Sequence, residues 1–360
     1  MARKAVQRPE ADGAGKGFGG TEHKKKRLTI NDIARLSKVS KKTVSRVING
    51  SPNVREETRL QVASIIDQFG YEPDPQARGL ALNRSFLIGL VYDNPNAQYI
   101  VNIQGGMLEG LRGTGFELVV HPCLQASPSF LSDVRNFVER QKLFGVVLLP
   151  PVSENEVLVQ MLRNIECLYV RIAALALDTP ETMIVARDRV GVAEAAEYLI
   201  AQGHQRIGYI TGPADYRSTL ERKVGFAAAL ARHGVALDPN LVVEGAYSFE
   251  SGVSCGAVLC KRDPRPTAIF ATNDEMAAGV YYAASTLGLQ IPRDISVVGF
   301  DDSPIATRIW PPLTTVRQPI KDMGRMAAER LMAHRREGVR LEPLEIVPNL
   351  VVRGSVAKLN

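Results

Sequence analysis

The sequence predicts an all-α helix-turn-helix headpiece of three short helices, followed by a larger α/β body of parallel sheets covered by helices. Three observations predict it. Between Thr29 and Gly50 two short runs of helical spacing flank a turn. From Phe86 onward, short apolar runs (FLIGLVYD, FELVVHP, GVVLLP, RIGYITG, TAIFATN, ISVVGFD) alternate with helical ones. Near-continuous apolar strands between helices mark parallel sheets buried on both faces, and about 270 residues suffice for two of them. The charge is also unevenly placed. Residues 1–84 hold 17 Lys and Arg against 9 Asp and Glu, a net +8, while the rest of the chain carries −2.

Size and composition narrow the function. A chain of 360 residues suits two or three domains, and 45% hydrophobic with 23% charged residues is ordinary for a soluble protein. No apolar run reaches the ~18 residues of a membrane span. The N-terminus has no long apolar segment of the secretory kind, so the expected location is the cytoplasm, with no membrane partner. Cys123, Cys167, Cys255 and Cys260 form no CxxC, and the five histidines lack ligand spacing. Reduced, buried thiols are expected, with no metal and no cofactor. No G-x-S-x-G, Walker loop or metal pair is present, and GFGG at Gly17 to Gly20 precedes no strand. The expectation is therefore not an enzyme. A basic head on a near-neutral body points to a polyanion bound at the N-terminal end.

The elements follow in order. Residues 1–28, ending in the run Lys24 to Arg27, read as a disordered basic tail. Residues 29–72 form the headpiece. Thr29 or Asn31 can cap a first helix on which Ile30, Ile33 and Ala34 keep helical spacing. Val39 plugs the turn, and Ser40 can cap a second helix with Val44, Val47 and Ile48 facing inward. That helix turns Lys41, Lys42, Ser45 and Arg46 outward. A third helix from about Val54 buries Val62, Ile66 and Phe69 and stops at Gly70. Such a unit can place its second helix in a major groove.

Residues 73–84 are a linker. Asp74 between Pro73 and Pro75 can cap a helix of about two turns, which contains Gly79 and is marginal alone. It is a conditional helix. The body occupies 85–360. Its helical stretches include QYIVNIQGGMLEGLRG, RVGVAEAAEYLIAQG, ERKVGFAAALARHG and DEMAAGVYYAASTLG. The paired glycines in IQGG suggest close helix packing. In open α/β sheets ligands bind beyond the carboxyl ends of strands. Asp93 and Asn94 end the first body strand, Tyr99 follows them, and Asn273 follows TAIFAT. Asp274 beside it is expected to cap the next helix.

Taken in series, the motifs carry a resemblance. TINDIARLSKVSKKTVSRVING, SPNVREETR, GYEPDPQARGL and LIGLV are followed by LIAQGHQRIGYITG, RKVGF, TNDEMAAG, DISVVGFDD and PPLTTVRQ. This order closely resembles the LacI/GalR family of bacterial transcription repressors over nearly everything after residue 28. The resemblance implies that Lys41, Lys42 and Arg46 face base edges, with Ser45 among them. Arg and Lys suit guanine O6 and N7. Thr29, Ser40, Thr43 and Asn49 are placed for phosphates. The conditional helix corresponds to the family's hinge helix, with Leu80 as a minor-groove wedge and Ala77 on the same side.

For the body the resemblance implies a two-lobed periplasmic-binding-protein-like fold, with lobes at about 85–186 plus 317–345 and about 187–316 plus 346–360. The implied effector contacts are Arg222 in the R-x-x-G-F motif and Asp301 after VVGF, an Arg fork and a carboxylate able to grip adjacent hydroxyls. Asn273 and an aromatic at Tyr247 match further pocket positions, and Asp93, Asn94, Tyr99 and Gln318 are weaker candidates. One departure stands out: after ECLYV many members carry an Asp, whereas Arg171 here supplies a cation. The implied function is a homodimeric repressor on inverted-repeat, double-stranded operator DNA. Its effector is a sugar or glycoside acting as inducer of carbohydrate genes. A purine- or nucleoside-responsive co-repressed regulator is the alternative; a sugar-binding receptor or α/β enzyme fits less well.

Overall fold

The structure, a computed structural model, describes residues 28–48, 53–71, 85–334 and 341–359. Residues 1–27 of the expected basic tail, the whole linker with its conditional helix, and the candidates Asn49, Ala77 and Leu80 lie outside the described residues. The chain divides into two compact units, residues 1–77 and 78–360.

In the first unit α1 spans Ile30–Leu36, α2 Lys41–Ile48 and α3 Glu56–Phe69. Thr29, not Asn31, caps α1. Its backbone N–H and hydroxyl donate to Asp32 at 3.0 and 2.7 Å, while the Asp32 N–H donates back to the Thr29 hydroxyl. Ser40 caps α2, its Oγ accepting from the Thr43 N–H at 3.1 Å. Ile33, Ala34, Val44 and Val62 fill the core, with Val39, Val47 and Ile66 packed around them. Ser37 is fully buried in the turn and donates to the Ile33 carbonyl at 2.6 Å. Phe69 corrects the expected core. It is 45% exposed, and Tyr71, beyond the left-handed turn at Gly70 (φ 56°), packs on the core instead. The turn reverses the chain, so the aromatic after it reaches inward where the one before it cannot.

The second unit holds two six-stranded sheets. The first has strand order β11-β5-β4-β3-β1-β2, from β1 (Leu87–Tyr92), β2 (Glu117–Pro122), β3 (Gly145–Leu148), β4 (Leu168–Ala173), β5 (Met183–Ala186) and β11 (Leu344–Ile346). The second has order β12-β10-β9-β8-β6-β7. It comprises β6 (Ile207–Thr211), β7 (Val242–Glu244), β8 (Ala268–Ala271), β9 (Ser296–Asp301), β10 (Thr314–Arg317) and β12 (Asn349–Val351). All neighbours are parallel except β10 and β12. Strands β5, β7, β10, β11 and β12 are three or four residues long; β3 and β8 are as short, but each sits in a longer apolar run. The six longer apolar runs all became strands.

Helices α4 (Ala97–Leu111), α5 (Phe130–Gln141), α6 (Glu156–Asn164) and α12 (Ile320–Ala333) belong to the first lobe. The second carries α7 (Asp188–Ala201), α8 (Arg217–Arg232), α9 (Phe249–Cys260), α10 (Asp274–Thr286) and the short α11 (Ile305–Arg308). The chain passes between lobes from β5 to α7, from β10 to α12, and from β11 to β12. Strand ends from both lobes therefore converge on the divide, which is where the candidate site lies.

Of the two IQGG glycines, Gly106 packs against a neighbouring helix and Gly105 faces open space. A Cβ on Gly106 of α4 would stand 1.8 Å from the Lys321 carbonyl oxygen of α12, and one on Gly324 would stand 2.2 Å from the Ile103 carbonyl. Gly106→Ala forces two backbones apart. It should lower unfolding stability by about 1–3 kcal/mol, read by urea denaturation, whereas Gly105→Ala, with open space around it, should not.

Candidate functional site

The headpiece presents one polar basic face. Lys41, Lys42 and Arg46 are exposed on α2, and none has an ion-pair partner among the described residues. Val44, between them, anchors the opposite face in the core. Thr29 and Ser40 sit at the N-terminal edges of α1 and α2, and the Thr43 hydroxyl lies 2.9 Å from that of Ser40. These hydroxyls fix the helix starts. Ser45 is half-buried on the flank of the basic face.

In the body the cleft between the lobes is lined by Asn94, Asn96, Tyr99 and Pro150 from the first lobe, together with Ile172 to Ala174. From the second come Asp188, Tyr216, Ser218, Arg222, Tyr247, Asn273 and Asp301, and from the crossover Gln318 and Met323. Its interior leaves about 50 Å³ open to the centres of water molecules.

Arg222 is the buried centre. Its Nε donates to Asp188 Oδ2 at 2.7 Å and its Nη1 to the Thr272 carbonyl at 2.6 Å, and its guanidinium stands 3.7 Å over the Phe300 ring. Nη2 has no hydrogen bond among the described residues. Burial works against the guanidinium, but Asp188, Tyr247 and Asp301 together outweigh it and keep Arg222 charged. Asp301 ends β9 with φ 110°, a backbone region that favours glycine. Burial holds its carboxyl well above the usual range, against the pull of Arg222, with Asp274 and Asp188 adding to the rise. Its Oδ2 accepts from Asn96 of the first lobe at 3.4 Å. Gln318 donates to Asp188 at 3.2 Å, and its buried Oε1 has no partner among the described residues.

Aromatic rings shape the rest. Tyr247, at φ 58°, meets Tyr216 edge-on at 5.3 Å and shares a 2.8 Å hydrogen bond with Thr219. Asn273 caps α10 through the Met276 N–H and donates to the Tyr247 carbonyl at 2.9 Å, so it holds the ring's backbone in place.

The structure thus brings Arg222, Tyr247, Asn273, Asp301, Gln318, Asn94 and Tyr99 together and leaves two candidates outside. Arg171 is fully buried away from the cleft. It donates to the Ser153 carbonyl and Glu156 at 2.6 Å each and lies 3.5 Å from Asp178. The pleat decides this: Ile172 lines the cleft, and Arg171, its neighbour, points to the other face. Asp93 turns away as well, accepting from the Gln125 N–H at 2.7 Å. Asp274 is not the cap of α10. Its carboxylate accepts from the Ser303 N–H at 2.6 Å and the Thr315 hydroxyl at 2.5 Å, bracing the loop behind Asp301, and burial pushes it up to about 7. Sequence reasoning missed Asp188, Asn96, Tyr216 and Ser218. The signal for Asp188 was the short run PETMIVARD, where an acid follows an apolar strand.

Two comparisons with known families match the two units. Residues 29–74 match bacterial regulatory proteins of the lacI family, and residues 196–356 match a periplasmic binding protein-like domain. The HTH-type transcriptional regulator CelR of Thermobifida fusca is 34% identical over 350 residues, covering 92% of this chain and 99% of that protein. The ribose operon repressor of Escherichia coli K12 is 31% identical over 329 residues, 91% of this chain and 99% of that one. The chain belongs to the lacI family of bacterial regulatory proteins. Among solved structures, a CelR–cellobiose complex aligns with a TM-score of 0.68 at 31% identity, over 91% of this chain and all of that one. The lac repressor dimer bound to operator and the anti-inducer ONPF aligns with a TM-score of 0.76 at 27% identity, over 92% and 100%. As a lacI-family member the chain is a DNA-binding transcription regulator. No helix of the described residues is long and apolar enough to cross a membrane.

Proposed function

We propose that this lacI-family chain is a homodimeric repressor whose affinity for an inverted-repeat operator is lowered by a small neutral sugar held between its lobes. The observation that carries the reading is the Arg222 grip, flanked by Asp188 and Asp301 and fed by strand ends of both lobes. Charge selects the ligand class. Among the described residues the one cation lining the cleft is already paired with Asp188, and Asp301 adds a second acid beside it, so no positive charge is left over. An acidic sugar would bring an anion with no free cation to meet it, at the cost of burying an unpaired charge. A neutral polyol offers hydroxyls that accept from Arg222 Nη2 and donate to the Gln318 oxygen and Asp188. The relatives' names point the same way, since the CelR complex holds cellobiose and two relatives are ribose operon repressors.

On this reading the protein binds without turnover and works in the cytoplasm, where the DNA is. Enrichment from random DNA should return an inverted repeat, because two headpieces on a two-fold body read two half-sites. Operator affinity is then measured against neutral sugars, uronates and nucleosides. A neutral sugar should weaken it by roughly 5- to 150-fold, a coupling of ~1–3 kcal/mol. DNA bound with no sequence preference would overturn the repressor reading, and tightening by a purine or nucleoside would replace the inducer by a co-repressor.

A further inference from the structure

We propose that Glu154 of the first lobe is a positioning residue for the effector grip: its carboxylate caps the second-lobe helix that carries Arg222, so that lobe closure and capping of that helix are one event. Helix α8 begins at Arg217 with Tyr216 at its N-cap, and no side chain of its own segment caps it. The first N–H groups of a helix need outside acceptors, and a carboxyl oxygen can accept there whether or not the group carries its proton. Glu154, in a short turn after β3, reaches across the divide and accepts from the Arg217 N–H at 3.0 Å. A second bridge lies beside it, where the Tyr216 hydroxyl donates to the Asp93 carbonyl of the first lobe at 3.1 Å. Both contacts join the start of α8 to the opposite lobe, five or six residues before Arg222. Separating the lobes would break both and leave α8 uncapped.

The clasp is also proton-linked. Glu154 Oε1 is buried with no partner, and burial pushes the carboxyl from the usual 4.5 up to about 7. The Arg217 N–H and the charges of Arg217 and Arg171 oppose that rise, and Asp215 adds to it. Tyr216, Asp93 and Glu156, which is paired with Arg171, complete the polar surroundings. With the lobes apart the carboxyl meets water and titrates near its usual value. The closed form therefore holds the proton more tightly, and closure strengthens as pH falls from 8 toward 6, by roughly tenfold for these two values.

The inference rests on the reading of the cleft as the effector site, but its test needs no effector. Amide hydrogen exchange on the full-length protein compares the first turn of α8 with that of α10, which Asn273 caps locally. Rates are corrected for intrinsic pH dependence. Glu154→Ala should speed exchange at the start of α8 about tenfold and leave α10 unchanged. Wild type should gain roughly tenfold protection at α8 between pH 8 and 6. Glu154→Gln, which keeps an acceptor but cannot titrate, should hold the protection and lose the pH trend. Wild-type exchange in the Ala variant, or a wild-type pH trend in the Gln variant, would overturn the clasp and leave the effector reading standing.

Discussion

Arg222→Ala is expected to leave a protein that binds its operator and no longer answers a sugar. The guanidinium supplies the free Nη2 donor in the cleft and fixes Asp188 at 2.7 Å. Its loss removes a charged hydrogen bond to the effector, worth about 1.5–3 kcal/mol, and releases Asp188 from its set position. Effector affinity should fall by roughly 10- to 150-fold. The substitution also leaves a buried acid unpaired, a change that costs about 3–5 kcal/mol where the acid stays charged. Burial already raises Asp188 and Arg222 opposes that rise, so loss of Arg222 shifts the acid further toward its neutral form and relieves part of that cost. Asp188→Asn separates the two effects. It keeps the shape and an acceptor for Arg222, so the fold should hold while effector affinity falls by roughly tenfold or more. Operator binding with and without sugar, beside a melting curve for each variant, provides the check. A full sugar response in Arg222→Ala would remove this residue from the grip.

The second large effect belongs to Arg46. Exposed on α2 without an ion-pair partner among the described residues, it is free to reach a base edge from a helix anchored by Val44. Arg46→Ala should cost about 1–3 kcal/mol at one base pair of each half-site and relax the preference there. Lys41→Ala and Lys42→Ala should act at neighbouring positions. The measurement is affinity for a set of operators substituted one base pair at a time. An equal loss on every sequence, with a shallower salt dependence, would mean that Arg46 touches only phosphate.

Local chemistry made much of this protein readable. Cap residues mark the starts of α1 and α2, and helical spacing with the Gly70 turn marks α3, because each signal acts within three or four residues. The six long apolar runs identify their strands, and the resemblance to the lacI family, through the motif around Arg222 and the run ending in Asp301, locates two parts of the grip. Tertiary structure decided the rest. The five short strands carry no period, and without β5 the acid after it, Asp188, has no reason to be noticed. Arg171 and Ile172 are neighbours in sequence, yet the pleat sends one into an ion-pair cluster and the other into the cleft. Phe69 and Tyr71 trade places because Gly70 reverses the chain between them. Glu154 and Arg217 lie 63 residues apart, and only the facing of two lobes lets one cap the other's helix. What a residue does to its near neighbours is written in the sequence. Which face it ends on, and which distant group it meets, depends on how the sheets pack, and that is fixed by the whole chain at once.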